Sequence, residues 1–196
     1  MCDTLDVPPA TRARFAQSIL VEVMRLHPSQ REEIRKRCGM VWQQIEETPP
    51  VAWLDEATYN TLTDSIRAQL GNEQTIRLYR GLGRRILENP NFQSFIESVI
   101  RLFGLSPHSL LKAAPRGRDS IVRDCGTLTY EHVTPYCAKL HLRNFPVSTF
   151  KSGTTVILLS GTFLGLLDAA GVAKTAKVET TGVDLLAGNA TFILSW

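Results

Sequence analysis

Residues 154–170 read TTVILLSGTFLGLLDAA, preceded by Gly153 and followed by Gly171. Val156, Ile157, Leu158, Leu159, Phe163, Leu164, Leu166 and Leu167 fall on nearly every side of a helix wound from this run. A helix that is apolar nearly all round is buried nearly all round, so the remainder of the fold has to wrap it. Gly171 is placed to end it as a left-handed cap, and Ser152 or Thr154 to begin it. One narrow face differs, because Gly161, Gly165 and Ala169 recur at every fourth residue with Ser160 beside them. Two mid-helix glycines cost about 1 kcal/mol each relative to alanine, which the close approach of another backbone can offset. That backbone belongs either to the same chain or to a second copy, with Gly161, Gly165 and Ala169 as the dimer seam. A membrane span is not expected, because the run is shorter than the roughly 20 apolar residues a bilayer needs and is threaded with Thr, Ser and Gly.

Strands flank this helix on both sides. Before it, residues 126–133 and 136–144 read as two strands joined through Thr134-Pro135, and in the second Tyr136, Ala138, Leu140 and Leu142 alternate with Cys137, Lys139, His141 and Arg143. A period of two means one buried and one wet face. After it, Ala176, Val178 and Thr180 alternate with Lys177 and Glu179, and residues 190–196 return with Phe192, Leu194 and Trp196 opposite Thr191, Ile193 and Ser195. The pattern predicts an antiparallel sheet with one long buried helix laid across it.

The front of the chain reads as helix throughout. Phe15, Ile19, Leu20, Val23 and Met24 recur at helical spacing within residues 9–26. Ser29 with Glu32 forms a capping box for a charged helix over 30–37, and a short segment with Trp42 and Ile45 leads to Pro49-Pro50. Asp55 caps a helix to Leu70, and Asn72 opens another carrying Tyr79 and ending at Pro90. A further helix over 91–103 carries Phe92, Phe95 and Phe103, and a short one over 108–114 precedes a turn at Pro115-Arg116-Gly117. Helices first and sheet last mark an α+β fold, with a helical subdomain (1–117) packed on an α+β subdomain (118–196) as one folded domain.

The totals exclude several classes. A charged content of 21% and a net charge of +3 do not call for nucleic acid or an anionic membrane. No basic region leads into an apolar core at the N-terminus, so no signal peptide is read and the expected location is cytoplasmic. Cys2, Cys38, Cys125 and Cys137 lack paired spacing and read as free thiols, with Cys125 and Cys137 as potential neighbours in the sheet.

Few residues propose chemistry. The stripe Tyr79, Phe92, Phe95 and Phe103 is core, or else lines an apolar pocket whose far wall would take Leu142 and Phe163. Arg77, Arg80 and Arg84 share a helix face; with Arg116 they form a candidate anion site, the competing reading being a solvated face balanced by Glu73, Glu88 and Asp119. None of the histidines at 27, 108, 132 and 141 pairs at metal-ligand spacing, although His132 and His141 can face each other on adjacent strands. No acid–base pair or activated nucleophile stands out, so an enzyme is not expected.

The run GLGRRILENPNFQSFIESVIRLFGLSPHSLLKAAPRG and the ending SGTFLGLLDAAGVAKTAKVETTGVDLLAGNATFILSW resemble an uncharacterised family of roughly 200-residue myxobacterial paralogues. That ending is also similar to a superfamily comprising haem–nitric-oxide-binding domains, vinyl-reductase-type small-molecule-binding domains and trafficking subunits with a lipid tunnel. The resemblance implies a non-enzymatic ligand-binding or assembly module of signalling, often dimeric. The haem members' Tyr-x-Ser-x-Arg signature would fall on Leu142, Asn144 and Pro146, and the helix that should carry their iron-ligating histidine offers only His108, near its start. No cofactor is therefore expected, with haem kept as the less favoured alternative. The expected partners are a small apolar or amphipathic ligand and either a second copy of the chain or another protein. The alternative is an interaction module whose pocket is filled by Phe and Leu side chains.

Overall fold

The computed structural model describes residues 8–85, 98, 101 and 104–196. Phe92, Phe95 and Phe103, and the helix expected over 91–103, fall outside them apart from residues 98 and 101.

The first element is a strand, β1 (Ala10–Arg12), where helical periodicity pointed to helix from Pro9 onward. It is extended because it pairs antiparallel with β2 (Trp53–Asp55) on one side and β3 (Val122–Arg123) on the other. The Trp53 ring lies under two guanidinium groups, 3.8 Å from Arg12 and 4.8 Å from Arg123. Such cation–π contacts join segments far apart in sequence, which no local pattern reports.

Helix α1 (Ala13–Val23) then begins, followed by α2 (Pro28–Cys38) and α3 (Met40–Glu47). The Ser29–Glu32 capping box does not form; the His27 ring accepts the Ser29 N–H instead. α3 winds the Trp42–Ile45 segment into helix and buries both side chains. α4 (Glu56–Arg84) starts on Asp55, whose carboxylate accepts the Thr58 N–H at 2.7 Å. It breaks at Gly71, where φ is 71°, a left-handed conformation that favours glycine. The two helices read on either side of this residue are the two limbs of that kink.

α5 (Pro107–Asp119) is capped by Ser106 and runs past Pro115, where the sequence suggested a turn. The ring removes one backbone bond but does not reverse the chain. Reversal waits for Asp124 and Gly126, at φ 52° and 65°. The main sheet follows with β4 (Thr127–Thr134), β5 (Cys137–Arg143), β6 (Lys177–Asp184) and β7 (Asn189–Ser195), ordered β4-β5-β7-β6 and antiparallel throughout. Its inner face, Ala138, Leu140, Leu142, Ala190, Phe192 and Leu194, is fully buried. The expected period of two is the observed one, and the architecture is the α+β fold anticipated.

Between β5 and β6 the chain makes α6 (Val147–Phe150) and α7 (Thr154–Ala169). One side of α7 rests on the sheet through Phe163, Leu166 and Leu167; Leu158 joins the other core, among α1, α3 and α4. Its glycine face meets α4. A Cβ at Gly161 would lie 2.6 Å from the Ile76 carbonyl oxygen, and one at Gly165 would lie 2.3 Å from that of Arg80. Gly83 of α4 answers from the other side, its missing Cβ 2.4 Å from the Thr162 carbonyl oxygen. The ridge is therefore filled by the chain's own α4. Gly161 and Gly165 are not available as a seam for a second copy, and Ala169 sits half-buried at the end of the same helix. Among the described residues no helix is long and apolar enough to cross a membrane.

Gly165→Ala should destabilise the protein by about 1–3 kcal/mol through overpacking, despite alanine's better helix propensity. Gly81→Ala, whose Cβ would lie 3.0 Å from the Glu22-bound Arg85 guanidinium and, among the described residues, close to no backbone of another helix, should cost less than Gly165→Ala, about 1 kcal/mol or under. Urea denaturation of the pair checks both, and equal behaviour of the two variants would remove the backbone contact as the reason for the glycines.

Candidate functional site

A cavity of about 150 Å³ opens where the helical front meets α7, α5 and the turn into the sheet. From the front come Phe15 of α1 and Tyr59 and Tyr79 of α4; α7 contributes Leu158, Phe163 and Leu166. The described wall also includes Ala113, Ala114 and Gly117 of α5 with Cys125, Leu128 and Phe145. The large side chains of this wall thus come from α1, α4 and α7, and α5 contributes some of its smallest residues.

Most polar groups on this wall are already bonded within the protein. Glu56 accepts from the Ser148 and Thr149 hydroxyls. Thr155 donates to the Thr149 carbonyl at 3.1 Å, and Thr162 to that of Leu158 at 3.0 Å. Arg118 spends its guanidinium on the Cys125 and Gly126 carbonyl oxygens and lies 5.1 Å from the Phe145 ring centre. Burial lowers the Arg118 pKa. Burial pushes the Cys125 thiol up, more than the neighbouring Arg118 charge pulls it down, so the thiol is a poor nucleophile. Tyr79 is 1% exposed, and its hydroxyl is sealed from solvent with the Tyr59 phenol as its neighbour. Burial pushes the Tyr79 and Tyr59 phenols up, and a hydrogen bond between the two raises Tyr79 further while holding Tyr59 back, so both are neutral.

Of the pocket residues read from sequence, Tyr79 and Phe163 meet at this cavity. Leu142 does not line its described wall; it is buried on the inner face of β5. Phe15, Tyr59, Cys125 and Phe145 were not selected, and their only sequence signal was membership of helical stripes or turns. The run Ala113-Ala114-x-x-Gly117 was the one hint of open space.

The arginine group does not assemble. Arg80 makes a bidentate bond to Asp168 of α7, both contacts 2.7 Å, and donates to the Ala173 carbonyl at 3.0 Å. Arg77 pairs with Glu73 on the surface, and Arg84 and Arg116 are exposed. An Arg80 fork closed on a carboxylate is not open to an anion. The histidines also part. Register pairs His132 with Ala138 and His141 with Thr129, which puts the two rings on opposite faces. His141 bonds Glu131 at 2.7 Å, and that bond lowers the Glu131 pKa. His108 Nε2 donates to the Thr134 carbonyl at 3.0 Å, and Nδ1 accepts from the Tyr130 hydroxyl at 2.7 Å. Cys38, Cys125 and Cys137 are free thiols.

No family model and no curated protein sequence matches the chain. Solved structures do. A structure described as probing heme distortion in the H-NOX family superposes with a TM-score of 0.60 at 12% identity, covering 94% of each chain. An Fe(II) unliganded H-NOX protein from K. algicida gives 0.59 at 10%, covering 94% of this chain and 95% of that one. An oxygen-binding H-NOX domain related to soluble guanylate cyclases gives 0.55 at 13%, covering 94% of each. The chain shares the H-NOX fold over nearly its whole length.

This comparison corrects the cofactor expectation. The sequence reading assigned none and set haem aside because signature residues were missing, but the fold is the one whose solved examples are haem domains. A lost signature is no ground for assigning no cofactor to such an architecture. The described wall, tested against haem, does not match histidine ligation. No imidazole lines it, His108 is spent on Tyr130 and the β4–β5 turn, and the Cys125 thiol and Tyr79 phenol are held in the protonated forms that ligate iron poorly. At about 150 Å³ the cavity suits a benzene-sized body rather than a tetrapyrrole.

Asp168→Ala should cost about 1 kcal/mol, because Arg80 is one-third exposed and water replaces part of the bond. Calorimetric titration of the unmodified protein with inorganic phosphate should show no saturable site on this face; one that vanishes in Arg80→Ala would restore the anion reading.

Proposed function

We propose that this chain is a non-enzymatic small-molecule-binding module, of the kind signalling proteins use as sensors, with its ligand in the cavity between the helical front and the sheet. The observation that carries the reading is the cavity itself. It lies at the junction of α1, α4, α5 and α7, lined by apolar side chains, where ligand sites commonly form. The position supports a sensing role as well. An occupant would touch both limbs of the α4–α7 pair, and only a ligand with unequal affinity for two arrangements of that pair could shift it. The space argues against the alternative in which Phe and Leu side chains fill the pocket. That the matched H-NOX structures include a heme study and an oxygen complex supports the small-ligand reading by analogy of fold.

Ala114→Leu tests it by filling the space from α5. The variant should fold with stability within about 1.5 kcal/mol of the parent and should lose any small molecule that co-purifies with the unmodified protein, read by native mass spectrometry and ultraviolet–visible absorption. Parent and variant carrying the same small molecule would overturn the site.

A further inference from the structure

We infer that the cavity selects an uncharged, hydrocarbon-like molecule about the size of one aromatic ring, held by contacts with aromatic side chains and not by hydrogen bonds. This rests on the proposed function and adds the class of ligand to it.

Three observations on the wall lead there. The first is size: about 150 Å³ is the volume at which an apolar protein cavity takes up a single aromatic ring. The second is the pairing of the polar side chains. Glu56 accepts from the Ser148 and Thr149 hydroxyls, Thr155 and Thr162 donate to backbone carbonyls, and Arg118 is bonded to the Cys125 and Gly126 carbonyl oxygens. The Tyr59 and Tyr79 phenols bond each other, and the Cys125 sulfur accepts from the Ala10 N–H. These groups have little left for a ligand. A ligand charge would shed its hydration and find each charged group of the described wall already bonded, and a ligand hydroxyl would meet the same cost on a smaller scale. A hydrocarbon surface meets neither cost, and its burial is favourable in proportion to its area.

The third observation is the set of rings. Phe15, Tyr59, Phe145 and Phe163 all line the space, and each is held by a ring neighbour. Phe15 and Tyr59 stack on one another with centroids 6.4 Å apart. Phe163 meets Phe192 of the sheet edge-on at 5.1 Å, and Phe145 leans on Phe150 at 5.8 Å. Aromatic side chains offer negative faces and positive edges, to which another ring can fit its own. Rings already fixed by packing lose little freedom when a ligand arrives, so less of the contact energy is spent on ordering them.

Three probes that share a ring separate the terms: toluene (apolar), phenol (hydroxyl) and benzoate (charged). Binding is measured by calorimetry on the full chain. Toluene should give a saturable isotherm, phenol should bind about tenfold weaker or less, as expected for a hydroxyl buried without a partner, and benzoate should not bind. The contrast is read on the unmodified protein, so it does not depend on any variant folding. Ala114→Leu, checked for fold by circular dichroism, should lose the toluene isotherm. Phenol or benzoate binding as tightly as toluene overturns the inference, as does toluene binding undiminished in folded Ala114→Leu. If none of the three binds but haemin does, with a Soret band abolished by Ala114→Leu, the ligand class falls and the site stands. If neither the probes nor haemin bind, both fall.

Discussion

The contact on which the rest of the structure depends is backbone against backbone between α4 and α7. Gly83, Gly161 and Gly165 bring the two helices so close that any side chain at the contact would overlap a carbonyl oxygen. Interiors packed to crystal density do not absorb such a mismatch, so the glycines set the axis along which the two cores are joined. Arg80 and Asp168 close the same junction with two charge-assisted bonds at its edge.

The candidate site is a consequence of that junction. With α7 pinned to α4 on one side and to the sheet on the other, Tyr79, Leu158 and Phe163 have fixed positions, and Ala113, Ala114 and Gly117 add little volume to the same wall. Arg118 anchors the turn below by bonding two successive carbonyls, which leaves the space bounded by a rigid corner. The fold is shared with haem-housing H-NOX domains, yet this wall has a phenol and small residues where an iron site would need a free imidazole. Fold and site therefore speak to different questions: the first gives the arrangement of helices and sheet, the second the chemistry of the wall.

Several sequence expectations failed for one reason, which is that partners far apart in sequence leave no local trace. β1 fell inside the helix read over residues 9–26, and pairing with Trp53–Asp55 and Val122–Arg123 is what extends it. Arg80 was grouped with Arg77 and Arg84 by spacing, while its partner stands 88 residues away. His132 and His141 were placed together by strand adjacency, and a register of Ala138 opposite His132 sends them to opposite faces.

By itself the sequence determined that a largely buried helix begins at Thr154, that the last strands alternate about one apolar face, and that Asp55 and Gly171 mark helix ends. These follow from period, capping and left-handed conformations, all properties of a few adjacent residues. Only the tertiary structure decided which backbone fills the glycine ridge, which carboxylate takes Arg80, and where a cavity remains. A cavity is the volume left over between side chains from elements far apart in the chain, and no stretch of sequence contains it.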